Sequence, residues 1–238
     1  MKKLITFATD NMSNAANQLM ESCFKFGIDE FSWFKPEHID PFFRKANKQV
    51  LDQPRGAGYW LWKPYIILKS MMEMKAGDVL VYADAGLYLN ANIDHIIKTM
   101  DQDVSLFGNT HPHVRWCKAY CLYKMGMQDI SPSQEQVQAS VILFKITRET
   151  FDFVKEWLLW GQFKGMIDDT PSEDYIERHD FIEHRHDQAI LTNLAVKYGY
   201  KFHWWAAQYN KGNKGRYNDK YPFPMFIHHG KRNDGSRK

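Results

Sequence analysis

Cysteine is scarce in this chain of 238 residues, where Cys23, Cys117 and Cys121 make up the whole set. An odd, widely spaced set does not build a disulfide framework, which excludes the small secreted scaffolds that depend on one. Cys117 and Cys121 lie one helical turn apart, and packing explains such a lone pair better than metal binding does. Long apolar runs are missing as well. Nothing approaches the roughly 18 consecutive apolar residues of a membrane-spanning helix. The brief run behind Lys2 and Lys3 breaks at Thr9-Asp10-Asn11, too soon for a secretory signal. The expectation is a soluble, cytoplasmic protein. No low-complexity linker divides the chain, so a single domain over residues 1–232 is expected. The formal net charge of +3 is too small to argue for a nucleic-acid partner. That charge is unevenly spread, with Lys211, Lys214, Arg216, Lys231, Arg232, Arg237 and Lys238 toward the end. Such an end suits an anionic partner, a diphosphate or a lipid headgroup surface, with residues 233–238 as a basic, flexible tail.

What is present is an alternation of short apolar strands and helical stretches, the signature of an α/β sheet. Leu4 to Ala8 reads as a first strand, followed by a helix carrying Leu19, Met20, Cys23 and Phe24, with Thr9 or Asp10 as its cap. Pro64 suits the first turn of a helix through Ile66, Ile67, Leu68 and Met71, ended by Gly77. Strands are expected at Asp78 to Ala83, Val104 to Gly108, Val141 to Ile146 and Phe223 to Ile227. Helices are expected at Phe151 to Trp160 and Gln188 to Tyr198, where apolar residues recur at helical spacing.

The most informative stretch is Gly77-Asp78-Val79-Leu80-Val81-Tyr82-Ala83-Asp84-Ala85-Gly86, which runs a buried strand straight into a carboxylate. Asp84 is thereby delivered to the rim of the sheet, where ligands of open α/β folds bind. Capping a turn with Gly86 at positive φ is the plain structural role for the same residues. Gly56-Ala57-Gly58 lets backbone approach a ligand or simply turn, and Tyr59, Trp60 and Trp62 offer flat faces for stacking or for the core. Trp204 and Trp205 are consecutive, so on a strand only one of them faces inward.

Four separated pieces resemble the GT-A glycosyltransferases, most closely the glycogenin-like and bacterial lipooligosaccharide galactosyltransferase type. Lys63 on a helix ahead of Asp84-Ala85-Gly86 resembles the lysine that precedes that family's Asp-X-Asp motif. Gln138-Ala139-Ser140-Val141-Ile142-Leu143-Phe144 resembles its Asn-small-Gly strand. Asp187-Gln188 resembles its Asp-Gln helix start, and His228-His229-Gly230-Lys231 a shortened form of its C-terminal histidine and lysine motif. The Asp-Ala-Gly variant also looks like that of viral and bacterial surface-glycan enzymes. The resemblance implies a mixed, mostly parallel sheet flanked by helices, with a nucleotide-sugar half at 1–110 and an acceptor half at 111–232. It implies Asp187, Gln188 and Gln138 as catalytic residues. Thr6, Ala8, Thr9, Trp60, Lys63, Asp84, Ala85, Gly86 and Lys231 would hold the donor. Asp84 with His228 and His229 would bind Mn²⁺ or Mg²⁺, although Gly86 stands where the family has a second chelating aspartate. The donor would be a nucleotide sugar, UDP-linked, and the acceptor a glycan or glycolipid, with retention favoured.

Two other readings start from the same residues. His179, Asp180, His184, His186 and Asp187 have the chemistry of a metal-dependent phosphohydrolase. Gly86 in place of an acid also fits a silent nucleotide-sugar-binding module.

Overall fold

The computed structural model describes residues 1–172 and 174–203, the backbone of residues 207–209 and 226–228, and Asn233. The strands are β1 (Lys2–Phe7), β2 (Glu30–Phe34), β3 (Val79–Ala83), β4 (Leu87–Leu89), β5 (Val104–Pro112), β6 (Glu135–Val137), β7 (Val141–Lys145), β8 (Phe202–His203), β9 (Ala207–Tyr209) and β10 (Phe226–His228). The main sheet has the order β2-β1-β3-β7-β5-β6, with β8 also paired to β5, and a small sheet has the order β4-β10-β9. In the main sheet β1, β2, β3, β5 and β8 run one way and β7 and β6 the other. The expected mixed, mostly parallel sheet flanked by helices is what the chain forms.

Burial on both faces explains the apolar runs of the central strands. Side chains alternate between two cores. Ile5, Leu80, Tyr82, Ile142 and Phe144 enter one, beneath helices Trp62–Met71, Arg148–Gln162 and His186–Lys197. Leu4, Val79, Val81, Val141 and Leu143 enter the other, beneath helix Ser13–Lys25. Tyr82 therefore points to the side that carries the Lys63 helix. The chain leaves β1 for β2 on one flank and returns to β3 on the other. A crevice opens where connections diverge in this way, at the carboxyl ends of β1 and β3.

Several boundaries differ from expectation for local reasons. Ser13–Lys25 starts after a 3₁₀ turn at Asp10–Met12, and Thr9 caps neither, because its hydroxyl donates to Asn11 Oδ1 at 2.6 Å. The Lys63 helix stops at Met71, and Gly77 instead serves the turn into β3 with φ of +87°. β10 takes Phe226–His228, and residues 223–225 of the expected strand lie outside the described residues.

Candidate active site

Asp84 follows β3, and its N–H donates to Ser140 O at 2.9 Å, tying it to the segment that enters β7. Two residues earlier on the same strand, and so on the same face, Tyr82 sends its hydroxyl to Asp84 Oδ1 at 2.5 Å. Lys63 reaches this point from the first turn of its helix. Its Nζ lies 2.8 Å from Asp187 Oδ2 and 3.8 Å from Asp84 Oδ1, donates to Ala139 O at 3.0 Å, and sits 5.0 Å from the Tyr82 ring centroid. Asp187 arrives in the first turn of His186–Lys197, where a helix N-terminus favours a carboxylate. Lys63 is 3% and Asp187 4% exposed. Burial alone would lower the ammonium's pKa, but Asp187 and then Asp84 outweigh it and raise it. Burial raises the Asp187 carboxyl against the opposing pull of Lys63, and burial with Asp84 nearby pushes the Tyr82 phenol up.

Above this charge cluster lies a cleft of about 230 Å³, lined by Ala8 and Thr9 after β1, by Gly56, Ala57, Trp60 and Trp62, and by Asp84, Ala85 and Gly86. Trp62 is fixed by stacking on Phe7, with centroids 4.0 Å apart, and by its indole N–H to Gly56 O at 2.9 Å. Gly56 to Trp60 form a left-handed turn, with φ of 59°, 52°, 101°, 50° and 60° in sequence. Left-handed backbone costs a non-glycine residue about 1–2 kcal/mol, so Ala57, Tyr59 and Trp60 need outside support. Tyr59 OH donates to Asp169 at 3.0 Å, Arg55 binds Glu183 at 3.2 Å, and Trp60 packs on His186 at 5.4 Å between centroids. Strain of this kind gathers at ligand sites.

Lys63, Asp84 and Asp187 are thus brought together, with Ala85, Gly86, Trp60, Ala8 and Thr9 on the cleft above them. Thr6 is fully buried within β1 and does not line the cleft. Gln138 lies in the loop between β6 and β7, its N–H on Phe107 O. Gln188 has both ends of its amide engaged, accepting from Ala139 N at 3.2 Å and donating to Gln136 at 2.6 Å. His228 pairs through its backbone with Leu87, and Asn233 bonds Asn11 O and Ser13 Oγ at 2.8 and 2.9 Å. The side chain of His228, and all of His229, Lys231, Trp204 and Trp205, lie outside the described residues. Tyr82 went unnoticed in the sequence, although its spacing of two from Asp84 on a strand was the available signal.

Neither a family model nor a curated protein matches the sequence. Solved structures do match in shape. The bifunctional glycosyltransferase WbbM superposes with a TM-score of 0.56 at 11% identity, covering 99% of this chain and 46% of that one. Mouse xyloside xylosyltransferase 1 gives 0.52 at 10% identity over 100% of both chains. The galactosyltransferase LgtC, solved with donor and acceptor sugar analogs, gives 0.50 at 16% identity over 95% of this chain and 86% of that one. The fold is that of the GT-A glycosyltransferases. This chain spans less than half the length of WbbM.

On that GT-A frame the histidine cluster does not assemble as a phosphohydrolase would need. His184 accepts from Lys118 N at Nδ1 and donates from Nε2 to Met166 O at 2.8 Å, leaving no lone pair for a metal. His186 donates from Nδ1 to Ile167 O at 2.8 Å, and Asp180 pairs with Arg178 at 3.0 Å. Among the described residues no three His, Cys, Asp or Glu side chains converge on a metal position. Asp84 is the single acidic group on the described cleft wall, and one carboxylate would hold Mn²⁺ or Mg²⁺ only together with the phosphates of a bound donor. Without a donor in place the described residues alone would not hold that ion, and no step below runs through it. Among them, too, no helix is long and apolar enough to cross a membrane.

Proposed function

We propose that the chain is a glycosyltransferase that moves a sugar from a UDP-linked donor to a glycan or glycolipid acceptor, with retention at the anomeric carbon. The observation that carries this reading is the meeting of Lys63, Asp84 and Asp187 beneath a cleft at the carboxyl edge of the sheet. Its support is a fold shared with several glycosyltransferases. The uracil end packs on the Trp60 side of the cleft, and the diphosphate lies over Ala85 and Gly86.

In the transfer the anomeric C–O bond breaks and its electron pair stays with the phosphate oxygen. The sugar ring becomes an oxocarbenium-like cation. Asp187, held by Lys63, places negative charge beneath that cation in a buried setting where such preorganised charge is effective. The acceptor hydroxyl attacks the anomeric carbon on the face that the diphosphate leaves, and its proton passes to the departing phosphate oxygen. Asp84, anchored by Tyr82 and Ser140, orients the donor. Lys231 falls in sequence between His228, opposite Leu87, and Asn233, bound at Asn11, which supports a role in gripping the phosphates.

The test is Asp84→Ala assayed for sugar release from a panel of nucleotide sugars. The expected outcome is a folded protein whose turnover drops by roughly 10²–10³; a folded variant with wild-type turnover refutes the assignment.

A further inference from the structure

A buried row of polar side chains runs from the Asp187 helix into the interior of the acceptor half. Gln136, His113 and Asn193 are each no more than 1% exposed. The contacts run in one line. Gln188 Oε1 accepts from Ala139 N at 3.2 Å, and Gln188 Nε2 donates to Gln136 Oε1 at 2.6 Å. Gln136 Nε2 lies 3.4 Å from both His113 Nδ1 and Trp116 O. His113 Nε2 is 2.9 Å from Asn193 Oδ1. Asn193 Nδ2 ends the row on the sulfurs of Met125 at 3.3 Å and Cys121 at 3.5 Å.

Two backbone groups with no choice of role fix the direction of every bond. The Ala139 N–H can only donate, so Gln188 must present its oxygen there and its NH₂ to Gln136. The Trp116 carbonyl can only accept, so Gln136 must turn its NH₂ inward. His113 Nδ1 is then left as a lone pair, and its proton sits on Nε2, facing Asn193 Oδ1. The carbonyl of the same residue, Ala139, accepts from Lys63 Nζ at 3.0 Å. Gln188 and Lys63 therefore hold the two peptide groups that flank the Ala139 Cα, and Lys63 carries Asp187.

We infer that Gln136 and His113 are positioning residues for this site: through Gln188 they hold Ala139 at its N–H, and the Ala139 carbonyl holds Lys63 in register with Asp187. The row touches no reacting atom. Gln188 acts by the same route, since its amide is turned to the protein at both ends. The inference rests on the glycosyltransferase reading only for its effect on rate.

The experiment compares the wild-type protein with Gln136→Met and Gln136→Glu, using ¹⁵N-labelled histidine and ¹³C-labelled aspartate in NMR, alongside release of sugar from UDP-sugars. In the wild-type protein His113 is expected as the neutral Nε2–H tautomer from neutral pH down to about pH 5. In Gln136→Glu a carboxylate faces the Nδ1 lone pair, so His113 is expected to take up a second proton at neutral pH. In Gln136→Met the Asp187 carboxyl titration is expected to move upward, because Lys63 is no longer held against it. Sugar release should fall roughly 10- to 100-fold with the UDP-induced melting shift retained, the size of effect a small misplacement produces. An Nδ1–H tautomer in the wild-type protein overturns the direction of the row. An unmoved Asp187 titration in folded Gln136→Met overturns the positioning role. A wild-type protein that turns over no UDP-sugar counts against the proposed function alone, because both NMR readouts still decide this inference.

Discussion

Replacing Lys63 with Met tests whether the buried ion pair organises the site. Methionine keeps most of the volume, so the change removes charge rather than packing. In its absence Asp187, 4% exposed, loses the ammonium 2.8 Å away, and Asp84 loses the same partner at 3.8 Å. Removing one member of a buried pair costs about 3–5 kcal/mol, since the remaining charge is left uncompensated. For a chain of this size that lowers the melting temperature by roughly 6–20 °C. Asp187→Asn should cost less, because Lys63 keeps Asp84 and the Ala139 carbonyl. The double variant should then be more stable than Lys63→Met, with a coupling of about 1–3 kcal/mol. Acid should also rescue the single variant. Asp187 already has a raised pKa, and loss of Lys63 removes the main influence that opposes the rise. A carboxyl raised in the folded state stabilises below its unfolded pKa and ceases to do so as pH rises through the folded value. The deficit of Lys63→Met should therefore be greatest near neutrality and shrink toward about pH 4. Urea unfolding followed by tryptophan fluorescence reads all three variants. Additive single effects, or a deficit that grows in acid, refute the reasoning.

Gly58 has φ of +101°, and a Cβ there would meet Leu51 Cα at 2.7 Å. Gly58→Ala should cost roughly 2–5 kcal/mol and weaken UDP binding through the deformed turn, measured by unfolding and calorimetry. His113 is lowered by burial to about 4 from 6.5, so the stability it contributes is full above its unfolded pKa and lost as pH falls toward the folded one. Between those limits stability should drop by about 3 kcal/mol from this residue alone, and a urea midpoint flat over that range would contradict its burial as a neutral ring.

How much of this was legible in the sequence depended on the range of the interaction. β3 and β7 stood out because both faces are buried, so their apolar runs are nearly unbroken. Lys63, Asp84 and Asp187 could be suspected as neighbours from the order of short motifs, each at the start of a helix or the end of a strand. The edge strand β2 and the three-residue β4 and β6 carry too little pattern to be seen. The left-handed turn hid as well, because Ala57, Tyr59 and Trp60 have no local reason to adopt positive φ and depend on Asp169, Glu183 and His186 far along the chain. His184 and His186 misled for the opposite reason: composition suggested metal ligands, whereas both ring nitrogens of His184 are engaged and no three ligating side chains converge among the described residues. The row from Gln188 to Asn193 is made of contacts across 23 to 80 residues, which no local periodicity records.

Charge sets a further demand on the site. Lys63 faces two carboxylates, so the trio carries a net charge of about −1 with both acids ionised. A nucleotide diphosphate brought to Asp84, Ala85 and Gly86 adds more negative charge on the same side of the cleft. Lys63, 2.8 Å from Asp187, is already paired with that carboxylate. The cleft thus calls for another cation beside the diphosphate, which a divalent ion or the basic C-terminal run beyond β10 would supply. These two sources separate cleanly. A divalent ion held by Asp84 together with the diphosphate would make UDP raise the melting temperature with Mn²⁺ and far less with chelator, by about 2.7 kcal/mol of stabilisation at a hundredfold excess over Kd. Lysines alone give a shift that ignores chelator and fades as salt is added. The expected result is the Mn²⁺-dependent one, because a divalent charge shared by Asp84 and the diphosphate would offset the deficit more fully than a monovalent lysine. A full UDP shift in chelator, unaffected by Mn²⁺, would show that the C-terminal basic groups carry the diphosphate by themselves.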